Sequence, residues 1–275
     1  MRVLGERALI VAQADSDAPG TPWRRAAQLR ELVLHLAGRQ LRSTHRRTLL
    51  GWSWPLLLQL VQLAVLVFVF KKVIPLNIPD YPTFVFTGLV FWSWFQAGIL
   101  SASSSVTDNS ALVTEPRLPR AVLPLVAVAV AGFDVLVALP VLLGVVGLTV
   151  GLSPVAAFVI VLLLIQAALM VGIALIASAL HVYVRDTKPL VGVILLITFY
   201  LTPIFYSFDS VPSGFSLLLR FNPAATLIDG YHRIFIFHQL PPWRATVLLA
   251  AGSIGVVAAG AALFRRLQGG FVDEL

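Results

Sequence analysis

The sequence predicts an all-helical integral membrane protein that crosses the bilayer six times. Composition carries the class: 58% of the 275 residues are apolar and 12% are charged, whereas soluble domains hold about 45–50% and about 25%. Mean hydropathy is +0.89. The pattern carries the count, because six apolar stretches come near the ~20 residues that a helix needs to cross ~30 Å of hydrocarbon. A soluble globular enzyme is excluded.

Residues 1–22 read as a mobile tail ahead of a membrane domain at 23–275. The apolar run at 8–14 is shorter than a signal core and meets Asp15, Asp17, Pro19 and Gly20 without a cleavage site. Leu29, Leu32, Val33 and Leu36 then recur at helical spacing, with Arg25, Gln28, Arg39 and Arg42 on the other sides. That pattern predicts an amphipathic helix lying in the membrane interface. The spans follow at about 52–74, 83–101, 121–150, 154–182, 189–208 and 243–264. The third contains Pro140 and is long enough to tilt or kink there.

The connection at 209–242 is too long for a turn and too apolar for water. Asn222-Pro223 divides it, since the residue before proline resists continuing a helix. Beyond the break, Leu227, Ile228, Tyr231 and Phe235 share a face, and Asp229 and Arg233 stand four apart as an ion pair. Two short helices in or dipping into the outer leaflet are expected. Non-helical backbone at that depth must be buried in protein or line a wet cavity.

Cations set the orientation. With both termini cytoplasmic, 15 of the 20 lie on that side and five on the other, the asymmetry of cytoplasmic loops. Lys71 and Lys72 dissent, as side chains snorkelling to the outer interface. A net charge of +7, carried by 17 Arg and three Lys, points to anionic lipid headgroups rather than nucleic acid.

Much chemistry is missing from the chain. It has no Cys, no GxxxxGK[ST] phosphate loop, no GxSxG elbow and no metal-ligand spacing among its five His. No catalytic residue and no metal site are expected, and any ATP must be used by a partner. What remains, a membrane body with polar and aromatic groups inside it, points to transport.

Asp134 sits mid-span with Val130, Ala131, Val137 and Ala138 as helical neighbours. A carboxylate at that depth costs ~2.5 kcal/mol or more, and it reads either as a pathway position or as a hydrogen-bonded packing group. Gln59 and Gln62 lie three apart, with Trp52 seven before Gln59. Amides and an indole suit a sugar path, and equally suit interhelical hydrogen bonds with an interfacial anchor. Phe199, Tyr200, Phe205 and Tyr206 flank Pro203, either as an anchoring belt or as the lining of a site beside a broken helix. Phe91, Trp92, Trp94 and Phe95 admit the same two readings. In the segment 107–119, Leu112 and Val113 stand between polar residues, either as exposed docking side chains or folded back on the bilayer.

Several of these residues, taken in order, resemble a known family. Arg39-Gln40-Leu41-Arg42, His45-Arg46-Arg47-Thr48, Leu50-Gly51-Trp52 and Trp54 are similar to the motif before the first span in ABC transporter permeases that export polysaccharides, O-antigens and teichoic acids. Asn109 with Leu112, Val113, Pro119, Leu123 and Pro124 follows, then Arg185-Asp186 with Lys188, Pro203 to Tyr206, Val211-Pro212, Asn222-Pro223 and Arg233. Phe271, Asp273 and Leu275 complete the set. The likeness runs from about residue 28 to 275. Gln40, Thr44, His45 and Glu115-Pro116 depart from the usual residues at their positions.

The resemblance implies a type-2 ABC exporter architecture in a bacterial inner membrane. This chain would be one subunit of a homodimer, with two copies of a separate ATPase that hold ATP and Mg. Asn109, Leu112, Val113 and Arg117, with Arg185, Asp186 and Lys188, would receive the ATPase movement. The N-terminal helix, with Arg39, Arg42, Arg46 and Arg47, would gate access of a lipid-linked glycan, and a hairpin at 215–237 would cap the outer exit. Trp52, Gln59, Gln62, Asp134, Phe199, Tyr200, Phe205 and Tyr206 would line the substrate channel. The nearest rival is the same architecture exporting a drug or simple lipid, for which Gln59, Gln62 and Asp134 should all face protein. A membrane-embedded transferase would need a convergent acid/base cluster, and a gradient-driven carrier an internal repeat; neither is found.

Overall fold

A computed structural model describes residues 31–38, 40–41, 53–73, 78–114, 118–208, 211, 214, 219 and 221–275. Every regular element among them is helical. Helix α1 occupies residues 31–38. It lays Leu32, Val33, Leu36 and Ala37 against Val122, Val126 and Val130, so the expected apolar stripe covers protein. Leu29 lies outside the described residues.

Helix α2 (Trp54–Phe68) continues into a π turn at Val69–Val73. Helix α3 is Tyr81–Ser103, and short α4 is Ser110–Val113. Helix α5 runs from Val122 through Pro140 to Thr149. Its end is closed by Gly151 at φ +92°, whose N–H donates to the Val146 carbonyl at 2.8 Å. Left-handed backbone at that position is the reason for glycine. A 3-10 turn at Pro154–Phe158 leads into α6 (Val159–Tyr183). Helices α7 (Thr187–Tyr200), α8 (Pro223–Phe235), α9 (Trp243–Leu267) and α10 (Phe271–Glu274) complete the order.

Among the described residues five segments are long and apolar enough to cross a membrane: Trp54–Lys71, Tyr81–Ser103, Val122–Thr149, Pro154–Tyr183 and Trp243–Glu274. The stretch expected at 189–208 differs. Its helix holds 14 residues, about 21 Å at 1.5 Å per residue, and then bends away. Pro203 has no N–H to continue the ladder and biases Thr202 against helix. Asn222 Nδ2 donates to Thr202 Oγ1 at 3.2 Å and holds the bend.

Helix α3 is the hub, packed by α2, α5, α6, α7 and α8. This position decides the fate of its aromatics. Phe91, Trp92, Trp94 and Phe95 are all buried, so they are core, correcting the expectation of a belt or a path. Trp94 even finds a protein partner, its indole N–H donating to the Val128 carbonyl at 3.3 Å. Helix α8 starts as its residues require: Asn222 Oδ1 accepts from the Ala224 N–H at 3.0 Å and Pro223 takes the first turn. Its apolar face packs on α3 and α6, and the expected ion pair forms, Arg233 Nε to Asp229 Oδ2 at 2.7 Å.

One end of the bundle gathers Arg120, Arg185, Lys188, Arg265 and Arg266, where α3, α6 and α9 end and α5 and α7 begin. The far end is fastened by polar bonds. Thr83 and Thr149 hydroxyls meet at 3.1 Å, and His238 Nε2 lies 3.0 Å from the Gly151 carbonyl.

Candidate functional site

Two regions collect the polar and aromatic groups, and the hub helix places both. The first is a wall along α3. Its faces toward α5, α6 and α8 are covered, but Gln96, Ala97 and Ser101 are exposed, with Ser93 and Leu100 half-buried. Helix α2 flanks this strip through Gln59, whose Nε2 donates to Ser93 Oγ at 2.7 Å. Helix α7 flanks it through Phe199, whose ring lies 5.7 Å from Trp92. An exposed amide in the middle of a span is costly against hydrocarbon, so this strip faces water, cargo or protein.

Toward the far end the wall becomes aromatic. Phe205 stacks on Phe70 at 5.3 Å and meets Phe199 at 5.9 Å and Tyr206 at 5.2 Å. Tyr81 Oη donates to the Phe205 carbonyl at 3.0 Å, capturing a group freed by the Pro203 break. Tyr200 stands 60% exposed beside Phe199, ring centroids 5.3 Å apart. The predicted Phe199, Tyr200, Phe205 and Tyr206 are therefore brought together, and Phe70 from the π turn after α2 and Tyr81 from the start of α3 join them. Those two gave no sequence signal for this site, because each lies more than 100 residues away from it in the chain. Gln59 and Gln62 are not brought together: Gln59 is 5% exposed and turned to α3, while Gln62 is exposed. Asp134 is half-buried on α5. Trp52, Arg39, Arg42, Arg46, Arg47 and Arg117 lie outside the described residues.

The second region is the basic end. Ser104, buried where α3 stops, donates to Asp108 Oδ2 at 2.7 Å and accepts from Lys188 Nζ at 2.8 Å. One hydroxyl thus joins the segment after α3 to the start of α7. Asn109 Nδ2 donates to the Ser105 carbonyl at 2.8 Å and closes the turn before α4. Arg120 donates to the carbonyls of Val113 and Gln268, tying α4 to the segment after α9. Arg185 and Asp186 are exposed beside Lys188.

The expectation of exposed Leu112 and Val113 is corrected. Val113 is fully buried and Leu112 half-buried, in a cluster with Val106, Leu123, Phe264 and Phe271. Burial wins because α4 closes over the ends of α6 and α9, where apolar side chains from four elements converge. What α4 shows outward is Ser110, Ala111 and Thr114, which with Val113, Val272 and Leu275 line an open groove of about 250 Å³. Ser104 and Arg120, the residues that join these segments, are not recognisable from spacing. Among the described residues no three His, Cys, Asp or Glu gather as metal ligands.

Comparison with known proteins bears on this arrangement. The family described as ABC-2 type transporter matches residues 31–236. The O-antigen export system permease protein RfbA of Myxococcus xanthus is 31% identical over 256 residues, 92% of this chain and 98% of that protein. A protein of the same name from Klebsiella pneumoniae is 29% identical over 248 residues, 89% of this chain and 95% of its own length.

Proposed function

This chain belongs to the ABC-2 type transporter family, and from that premise we propose that it is the membrane subunit of an ATP-driven exporter of a lipid-linked cell-envelope glycan, such as an O-antigen. The observation that carries this reading is the end-to-end similarity to O-antigen export permeases. The uncovered amide and aromatic wall of α3 supports it, because a surface of hydrogen-bonding and stacking groups suits a glycan that must bind and then leave. Gln62 is exposed, which disfavours the drug or simple-lipid alternative, since that reading needs all the intramembrane polar groups turned to protein. Teichoic acid or another envelope polysaccharide has the same hydroxyl-rich chemistry.

The working unit is a homodimer in a bacterial inner membrane with both termini cytoplasmic, matching the 15-to-5 division of cations. In that topology α7 with its bend forms the fifth of six passes, and α8 is the re-entrant element near the exit. Two copies of a separate ATPase hold ATP and Mg, since this chain has no phosphate loop. They push on the basic end, where α4 and the start of α7 stand. Deleting the gene is expected to leave lipid-linked glycan inside the cell; normal surface glycan in that strain would overturn the assignment.

The Ser104 junction gives a finer test. Lys188→Met removes a hydrogen bond worth ~1 kcal/mol, a factor of ~5 in a two-state equilibrium. In proteoliposomes holding both subunits, ATP hydrolysis is expected to continue while glycan moved per ATP falls severalfold. Unchanged stoichiometry would show that the two segments need not move together.

A further inference from the structure

We propose that Gln59 and Gln96 form a paired acceptor and donor for a sugar hydroxyl, a glycan subsite on the α3 wall near the basic end. The proposal rests on the exporter reading and specifies where the glycan is held.

The orientation of each amide is settled by its neighbour's chemistry. Ser93 Oγ donates to the Val90 carbonyl at 2.8 Å, so its single proton is committed and it can only accept from Gln59. Gln59 must therefore present its NH2 group to Ser93, at 2.7 Å, and turn Oε1 elsewhere. That oxygen is buried and has no hydrogen-bond partner, on a side chain 5% exposed. Trp92 has one polar hydrogen and no acceptor, and it donates to Gln96 Oε1 at 3.1 Å. Gln96 must then direct its NH2 group away from Trp92, and its side chain is exposed. At Gln96 the indole, which only donates, fixes the amide; at Gln59 the orientation follows from the Ser93 proton resting on the Val90 carbonyl.

Ser93 and Gln96 are one turn apart on α3 and so share a face. The strip consequently offers one buried acceptor and two outward donors, all neutral. A hydroxyl answers both demands, because it donates one hydrogen and accepts others. A diphosphate answers only half, as it has no hydrogen to give Oε1 and would place negative charge beside a carbonyl oxygen. The position fits an early encounter: Gln59 is five residues from the start of α2 and Gln96 seven from the end of α3. Both therefore stand ~8–11 Å inside the basic end. Leaving a buried acceptor unpaired is a cost that folding alone does not require.

The test uses the assembled transporter in liposomes and follows ATP hydrolysis stimulated by lipid-linked glycan extracted from the source cells. Polyprenyl diphosphate without sugar is the comparison. Gln59→Met removes the acceptor together with the donor to Ser93, while Gln96→Glu keeps an acceptor for Trp92 and removes the donors. Each is expected to raise half-saturation for the glycan-bearing lipid about tenfold, roughly one hydrogen bond's discrimination, and to leave half-saturation for the bare lipid unmoved.

An equal shift with bare lipid would mean that the site reads the carrier, and would overturn the proposal. So would half-saturation that stays at the wild-type value in both variants. Failure of wild-type transporter to respond to any lipid-linked glycan would bring down the exporter reading and the subsite together; a responding wild type with indifferent variants would bring down the subsite alone.

Discussion

A Gly172→Leu chain is expected to give no monodisperse protein on size exclusion in detergent, and Gly172→Ala to melt well below the wild type. Helices α6 and α9 touch backbone to backbone at this point. A Cβ added to Gly172 would lie 2.6 Å from both the Val256 carbonyl carbon and the Val257 nitrogen, and one added to Gly260 would lie 2.5 Å from the Gly172 carbonyl oxygen. Backbone cannot rotate aside as a side chain does. The helices must move apart, and the contacts of Leu249, Ser253 and Phe264, all buried on α9, loosen together. In hydrocarbon no hydrophobic force draws the helices back, so close van der Waals approach between small residues carries the association. Overpacking costs ~1–3 kcal/mol where side chains can adjust, and more is expected where they cannot. Gly255 supplies the control: a Cβ there meets nothing within 4 Å. Gly255→Ala should melt at or above the wild-type temperature, since alanine is the better helix former by ~1 kcal/mol. Equal damage at 172 and 255 would refute the account.

Tyr231→Ala should be the second severe change, releasing α8 from the bundle. The Tyr231 ring is fully buried and stacked on Phe91, centroids 3.6 Å apart and planes 7° from parallel. Its hydroxyl donates to Gln166 Oε1 at 2.9 Å, and Gln166 Nε2 donates to the Phe91 carbonyl at 2.9 Å. Three helices, α3, α6 and α8, are joined by that circuit. One residue on, His232 repeats the arrangement, stacked on Phe84 at 3.6 Å with Nε2 3.0 Å from the Phe84 carbonyl. A carbonyl only accepts, so Nε2 carries the hydrogen. Truncating a buried aromatic to alanine costs ~3–5 kcal/mol through lost transfer energy and the cavity left behind. Tyr231→Phe and Gln166→Leu each strand one partner, at ~1–3 kcal/mol. Their combination strands neither member of that bond, so the double variant should melt higher than the two single losses predict when added. Strict additivity would mean that the two side chains do not act as a unit. Export should fail in Tyr231→Ala, because α8 is the element proposed to stand at the exit.

How legible these features were depends on the range of the forces behind them. The spans at 83–101, 121–150 and 243–264 emerged within a few residues as Tyr81–Ser103, Val122–Thr149 and Trp243–Leu267. A bilayer imposes length and composition on a segment without regard to its neighbours. The start of α8 at Asn222-Pro223 and the Asp229–Arg233 pair were equally legible, since caps and i,i+4 contacts are settled within one or two turns. Hydropathy averaged over 189–208 hid the stop at Tyr200, although Pro203 marked it, because apolar residues continue past the bend.

The candidate site was legible by residue type and much less by partner. Phe199, Tyr200, Phe205 and Tyr206 were found because they lie together along the chain. Phe70, Tyr81, Ser93 and Ser104 were not, because their importance arises from contacts made across α2, α3 and α7. Gln59 and Gln62 look alike in one dimension, yet one is buried against Ser93 and the other exposed. Phe91 and its neighbours admitted a belt or a path until the faces of α3 that carry them proved to be packed by other helices.

Membership of the membrane, the absence of a nucleotide loop and the family are all properties of the linear chain, since hydrocarbon and water sort residues one segment at a time. Which side of each helix meets protein, where backbones touch, and which amide keeps an unpaired oxygen depend on distances between helices far apart in the chain. In a chain apolar on nearly every face, periodicity says little about which face turns inward, so packing alone makes that choice.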